Sequence, residues 1–368
     1  MSLQRLEKLH AALQTAHLDA AALNPGPTLT YLTGLHFHLM ERPVVLLAAP
    51  GKAPALILPE LEKPKLDLLP YPAQAFAYGE NPSAWVQTFR QAVEYLGLDG
   101  KQIGVEPRAL RLLEFNYLRA AAPAAEFPDA SAALASLRLC KDADEVARMR
   151  RAVEIAQNAL EATLPLIKIG MTEKELAAEL VMQLLRHGSQ PEMPFSPIVS
   201  AGPNSANPHA SPTDRPLQPG DLLVIDWGAA YEGYISDLTR TFAVGEVDEE
   251  YRRIHEIVQQ ANAAGRAAGK PGAPCAAVDR AARAVIEQAG YGPYFTHRTG
   301  HGIGMEGHED PYMRGDNQQL LQVGMAYTVE PGIYLPGRNG VRIEDNMVVT
   351  ATGSESLSTL PREIRGVG

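Results

Sequence analysis

Twice in the second half of this chain an apolar, strand-like run is interrupted by an acid, "LLVIDW" at Asp226 and "MAYTVEPGIY" at Glu330. A solvated strand alternates apolar and polar residues, whereas these runs are apolar on both sides of the acid, so both carboxylates are expected to be buried. Each run then folds back toward a second acid. The stretch "LLVIDWGAAYEGYISDLTRTFAV" reads as a hairpin, and a two-residue turn at Tyr231 and Glu232 sets Asp226 opposite Asp237. A bulge at Gly233 would offset that pair. The stretch "AYTVEPGIYLPGRNGVRIEDNMVV", turning through "PGRNG", sets Glu330 opposite Glu344. Buried carboxylates in pairs repel one another unless positive charge lies between them, so the fold must bring cations to these four acids.

The pattern around the hairpins occurs twice. The first pass has a helix from about residue 143, with Val146, Met149, Val153, Ala156 and Leu160 on one stripe, and a second helix in "TEKELAAELVMQLLRHG" capped by Thr172. Its hairpin covers 222 to 244. The second pass has a helix from about 248, another in "AAVDRAARAVIEQAG", and a hairpin over 325 to 350. In both, the first carboxylate follows the first helix start at nearly the same distance. Identity between the passes is low, so what is duplicated is a pattern, and it predicts two helix-helix-hairpin halves facing each other. Ahead of them, residues 1 to about 125 mix helix-like stretches with short apolar runs such as "RPVVLLAAP" and "APALILPE", the strands of an α/β layer. The Ala/Pro-rich "AAAPAAEFPDASAA" separates the two parts. The expected fold class is α+β, with a smaller α/β domain over 1–130 and a duplicated domain over 131–368.

Composition narrows the partners. A formal charge of −10 argues against nucleic acid and anionic membrane surfaces, which require basic patches. Cys140 and Cys275, the only cysteines, supply neither a disulfide scaffold nor a cysteine zinc site, and a reducing cytoplasm is expected. Leu3, Leu6, Leu9 and Leu13 share a face broken by charges, unlike a signal peptide. No run of roughly 18 apolar residues occurs.

Between the hairpins stands "RTGHGIGMEGHEDP", in which residues 302 to 307 satisfy G-x-G-x-x-G. That pattern binds dinucleotides only where it opens a helix. Here Pro311 and the polar "MRGDNQQ" follow instead, so the nucleotide reading fails. Two histidines, His301 and His308, bracket the glycines. His301 with the four acids makes a set of hard oxygens and one imidazole, suited to two divalent cations sharing carboxylates, with manganese, cobalt or zinc preferred to magnesium. Such a metal pair acidifies water and polarises a carbonyl, which is hydrolytic chemistry. His308, and His209 in "SAGPNSANPHA", are candidates to donate to an oxyanion or a leaving nitrogen, while His297 reads as structural.

With these residues placed, "PLQPGDLLVIDWGAAYEGYISDLTRTF", "HGIGMEGHEDP", "GMAYTVEPGIY" and "GVRIEDNMVV" resemble the motifs of the pita-bread metallopeptidases, which include methionine aminopeptidase, aminopeptidase P and prolidase, with creatinase as a metal-free relative. The likeness is strong over about 140–355 and weaker over 1–125, which is similar to the N-terminal domain of the proline-specific and creatinase branches. It implies a pita-bread catalytic domain behind a creatinase-like domain, two divalent metals, manganese first, and a homodimer. It further implies that Asp226 ligates one metal, Asp237 and Glu344 bridge both, and His301 and Glu330 complete the second. Glu330 would also shuttle protons, and His209 and His308 would contact substrate. The implied reaction is hydrolysis of an Xaa-Pro bond, a tertiary amide whose nitrogen carries no proton.

A dipeptidase must also recognise a free carboxylate, a task suited to arginine. Some prolidases carry arginine directly after a His-Glu-x-Pro run, where this chain has Tyr312, so Arg314, Arg342 and Arg42 stand as candidates. The compact chain and "GHEDP" resemble prolidase more than the longer aminopeptidases P. Xaa-Pro aminopeptidase is the alternative expectation, methionine aminopeptidase a lesser one, and a non-catalytic peptide-binding protein the remote one.

Overall fold

The computed structural model describes residues 3–368, and the chain divides into two compact units between residues 138 and 139. In the first unit, helices α1 (Leu3–Thr15), α2 (Pro27–Thr33), α3 (Pro82–Leu96), α4 (Leu112–Ala121) and α5 (Ser131–Leu139) accompany a five-stranded sheet. The strands are β1 (Ala20–Leu23), β2 (Val45–Ala48), β3 (Ala55–Pro59), β4 (Gln74–Tyr78) and β5 (Ile103–Val105), ordered β4-β3-β2-β1-β5. Strands β2 and β3 are buried at every position, which is why they read as continuous apolar runs. Val45, Leu47 and Ile57 pack there with Trp85, Phe89 and Val93 of α3.

The second unit repeats helix, helix and hairpin as expected. Helix α6 (Ala143–Thr163) begins at a capping box between Asp142 and Glu145, and α7 (Glu173–Arg186) at one between Thr172 and Glu175. They are followed by β6 (Ile198–Ala201), β7 (Leu222–Trp227), the hairpin tip β8 (Ala230–Tyr231) and β9 (Tyr234–Ile235), and β10 (Leu238–Val244). Helices α8 (Glu249–Ala268) and α9 (Cys275–Gln288) open the second half. They lead into β11 (Gly300–Gly302), β12 (Glu309–Met313), β13 (Ala326–Val329), β14 (Gly332–Tyr334), β15 (Gly340–Arg342), β16 (Asp345–Val349) and β17 (Ser354–Ser356). The last strand, β18 (Arg365–Val367), returns beside β10. One sheet runs β18-β10-β7-β6 and another β12-β11-β13-β16-β17, with β8-β9 and β14-β15 as two-stranded ribbons. Trp227, fully buried, donates its indole N–H to the carbonyl of Ala156 at 2.8 Å and so ties β7 to α6.

The second hairpin has the expected register. Val329 faces Asp345, Gly332 faces Arg342, and Glu330 lies opposite Glu344 in the gap between these ladders. The first does not: Asp226 faces Thr239, and Asp237 is displaced two positions along the strand. Its turn falls at Glu232 and Gly233, at φ 47° and 79°, instead of Tyr231 and Glu232. A two-residue hairpin turn of the hand that matches strand twist needs left-handed φ at both central positions, and placing Gly233 second removes half of that strain. A shift of two keeps Asp237 on its original face, so the acids still converge. The two hairpins are stitched together there, where the Glu344 N–H donates to the carbonyl of Thr239 at 3.0 Å.

No described helix is long and apolar enough to cross a membrane. No helix follows the glycine pattern either, because β11 leads through a turn into β12. A Cβ on Gly300 would sit 1.9 Å from the carbonyl oxygen of Thr328, and one on Gly302 would sit 2.2 Å from that of Asp310. These glycines allow strands to approach.

Candidate active site

Asp226 near the end of β7, Asp237 just before β10, His301 in β11, Glu330 just after β13 and Glu344 just before β16 all line one cavity of about 710 Å³. Ligating atoms of Asp237, His301 and Glu344 lie within 4.8 Å of one another. His301 Nε2 is 3.3 Å from Glu330 Oε1 and 3.6 Å from Asp237 Oδ2. Its Nδ1 is 3.0 Å from the Gly302 carbonyl, which can only accept, so Nδ1 donates there and Nε2 is the nitrogen turned toward the acids, the one a metal-binding histidine presents.

Two buried asparagines hold the backbone around this cluster. Asn346 accepts from the Asp237 N–H at 3.0 Å and donates to the Asp237 carbonyl at 2.6 Å. Asn262 on α8 donates to the carbonyls of Val329 and Ile343, the residues immediately before Glu330 and Glu344. Neither asparagine was singled out from sequence, because a polar residue in a helix or strand pattern reads equally well as a solvated one.

The electrostatics are unbalanced. Burial pushes the carboxyl of Asp226 up, opposed by Arg342, while Asp237 and Glu344 are driven well above the usual carboxylate range by burial and then by neighbouring acids. Glu330 differs: burial would raise it, but its hydrogen bond to His301 and the nearby imidazoles and guanidinium hold it down at about 2. Arg342 donates to Asp226 Oδ2 at 2.6 Å; burial works against its charge, but Tyr334, Asp226 and the glutamates keep it. One guanidinium does not neutralise four acids. Asp226 Oδ1 and Glu344 Oε1 are buried with no hydrogen-bond partner. Orphaned carboxylate oxygens converging with an imidazole nitrogen are a donor set for divalent cations, and these residues fit that role.

His209, His308, Arg314 and Arg342 line the same cavity. The His308 ring centre is 4.0 Å from that of His301, and burial first, then the charges of His301 and Arg298, lower its pKa to about 4. His209 is exposed on a loop organised by Glu173 of α7, which accepts from the Ala201 and Thr213 N–H groups and from Asn204. Arg314 pairs with Asp316 at 3.1 Å. Arg42 belongs to the first unit, where it pairs with Glu80 and Glu41. His297, read as structural, does accept from the Tyr334 hydroxyl at 2.8 Å and donate to the Arg298 carbonyl at 2.7 Å, yet it also lines the cavity. Sequence reasoning missed Arg298 and the apolar wall of Pro194, Phe195 and Ile198. Position offered one signal for Arg298, three residues ahead of His301; the wall had none.

A duplicated fold closed on a buried set of metal-type donors is the architecture of a metallohydrolase. The chain belongs to metallopeptidase family M24, matched over residues 147–351, and its residues 5–140 match the creatinase/prolidase N-terminal domain. Its fold is thus α+β, with a pita-bread catalytic part behind a creatinase-type one. It is 34% identical over 361 residues to an Xaa-Pro dipeptidase of Lactobacillus delbrueckii subsp. lactis, spanning 98% of both chains. A dipeptidase from Pyrococcus horikoshii OT3 superposes with a TM-score of 0.93 at 36% identity, covering 99% of this chain and 100% of the other. A prolidase from Thermococcus sibiricus gives 0.93 at 32% identity over all of both chains.

Proposed function

We propose that this hydrolase is an Xaa-Pro dipeptidase. The observation that carries the reading is a single cavity of about 710 Å³, a volume suited to a small ligand, in which the five acid and imidazole donors share walls with His209, His308 and the apolar Pro194, Phe195 and Ile198. The similarity to enzymes named as dipeptidases and prolidases supports the same substrate class.

Asp226, Asp237, His301, Glu330 and Glu344 would hold two divalent ions, with manganese, cobalt or zinc suited to the donors. Such ions, when bound, acidify a water and polarise the scissile carbonyl. Glu330, an ionised carboxylate at the cavity wall, takes the proton from the attacking water and delivers it to the proline nitrogen, which has none of its own. His308 is neutral above about pH 4. Its Nδ1 faces Arg298 Nη2 at 3.4 Å, which can only donate, so Nε2 carries the hydrogen and is free to donate to the developing oxyanion. His209 supplies a second donor. The proline ring packs on the apolar wall, and buried Arg342 holds Asp226 in place.

The test is a product assay on manganese-loaded enzyme offered Ala-Pro beside Ala-Pro-Ala. Cleavage of Ala-Pro with little of the tripeptide is expected. Preference for the tripeptide makes the enzyme an Xaa-Pro aminopeptidase, and cleavage of neither with metals bound contradicts the proline reading.

A further inference from the structure

Three arginines line the cavity, and two of them are committed elsewhere. Arg342 is buried, with one nitrogen on Asp226 Oδ2, another on the Tyr334 hydroxyl and the Pro208 carbonyl, and its Nε on Thr239 Oγ1. Arg314 is exposed and holds Asp316. Arg298 is half-buried, and among the described residues none of its nitrogens meets a carboxylate. Its guanidinium carbon stands 4.6 Å from the centre of the Tyr312 ring, and Nη2 reaches His308 Nδ1 at only 3.4 Å.

The backbone explains how this arises. Strand β12 pairs antiparallel with β11, and the Thr299 N–H donates to the carbonyl of Met313, so Tyr312 is brought beside Arg298. A guanidinium stacked on an aromatic face keeps its in-plane N–H groups available, and those groups match the two oxygens of a carboxylate. Leaving such a cation without an anion in a cavity wall has a chemical use when the ligand brings the anion.

We propose that Arg298, held by Tyr312, binds the free C-terminal carboxylate of the substrate and so selects dipeptides. The inference rests on the Xaa-Pro reading and adds to it the residue that reads chain length. A dipeptide carries its carboxylate on the proline itself, whereas a longer peptide has an uncharged amide there, which leaves the Arg298 charge unmatched.

The experiment compares Ala-Pro with its amide, Ala-Pro-NH2, on the metal-loaded wild type and on Arg298→Ala, Arg298→Lys and Arg314→Ala. Wild type is expected to favour Ala-Pro in kcat/KM by about 10- to 100-fold, as for a charge-assisted bidentate contact. Arg298→Ala brings that ratio toward one, mainly through KM. Arg298→Lys, which keeps the charge but not the fork, lies between, and Arg314→Ala retains the wild-type ratio. Inhibition by L-proline but not L-prolinamide, lost in Arg298→Ala, reads the same contact without turnover. A ratio unchanged in both Arg298 variants, or one lost in Arg314→Ala instead, overturns the assignment. Wild type that cleaves Ala-Pro and its amide equally also overturns it while leaving the Xaa-Pro reading intact. Wild type that cleaves neither overturns both.

Discussion

Glu344 and Asp345 are consecutive, both buried, and treated in opposite ways. Asp345 accepts from Arg240 at 2.9 Å and from Arg362 at 2.7 Å, and Arg240 continues to the carbonyls of Thr239, Glu344, Leu360 and Pro361. Burial would raise its pKa, but the two arginines lower it. Glu344 has one oxygen on the Thr239 hydroxyl at 2.7 Å, its other oxygen has no partner, and burial with Glu330 and Asp226 raises it. Neighbours on an extended chain point to opposite sides, so one residue step separates an acid neutralised by the protein from an acid that the protein leaves uncompensated. The pair shows that burial of a carboxylate says little about its role until its counter-charges are located.

Breaking each member has different consequences. Glu344→Gln is expected to abolish turnover and weaken metal binding, yet to raise the stability of the chelator-treated protein, because it removes a charge that the metal-free fold disfavours. Asp345→Asn leaves the donor set intact but strands Arg240 and Arg362, and should cost about 3–5 kcal/mol in urea unfolding. Equal losses of stability in both variants would erase the distinction.

Their pH dependences should also have opposite signs. Asp226, Asp237 and Glu344 have raised folded-state pKa values, so their contribution is present at low pH and is lost as pH rises through those values. The metal-free protein should therefore lose stability toward neutrality, and metal should reverse the trend. Asp345, with a lowered value, stabilises above the usual carboxylate range and loses that contribution as pH falls. His255 on α8 reinforces the acid side, since burial and then Arg240 lower it to about 4. Between its unfolded value of 6.5 and that point the folded state should lose about 3 kcal/mol, and His255→Gln should flatten this limb of the stability profile.

Smaller effects sharpen the contrast. Asn346→Ala releases the backbone clamp on Asp237 and should weaken metal binding by about 10- to 100-fold, less than loss of Glu344 itself. Thr172→Ala removes a helix cap remote from the acids and should cost about 1 kcal/mol with metal affinity unchanged.

Much of this arrangement was legible in the sequence because its signals are local. The N-cap at Thr172, the acids set in apolar runs, and the "PGRNG" turn each specify geometry within a few residues. The first hairpin misled because two adjacent turn placements differ only in which residue adopts a left-handed φ, and Glu232 does so despite its side chain. The place of His297 in the cavity wall and the roles of Asn262 and Asn346 were not legible, since what distinguishes them is contact with distant strands. Hairpin register singles out Glu344 opposite Glu330, but nothing local in "RIEDN" shows that Asp345 is met by Arg240, Arg266 and Arg362.

If the buried acids of the two hairpins hold the divalent cations used in hydrolysis, metal uptake, proton release and turnover must rise together. The most direct test is equilibrium dialysis of chelator-treated protein against manganese, with proton release and Ala-Pro cleavage followed on the same samples. Uptake of about two ions per chain, with protons expelled from the raised carboxyls and activity appearing alongside, is the predicted result. Cleavage that persists in the chelated protein, or no uptake by an intact donor set, would contradict it.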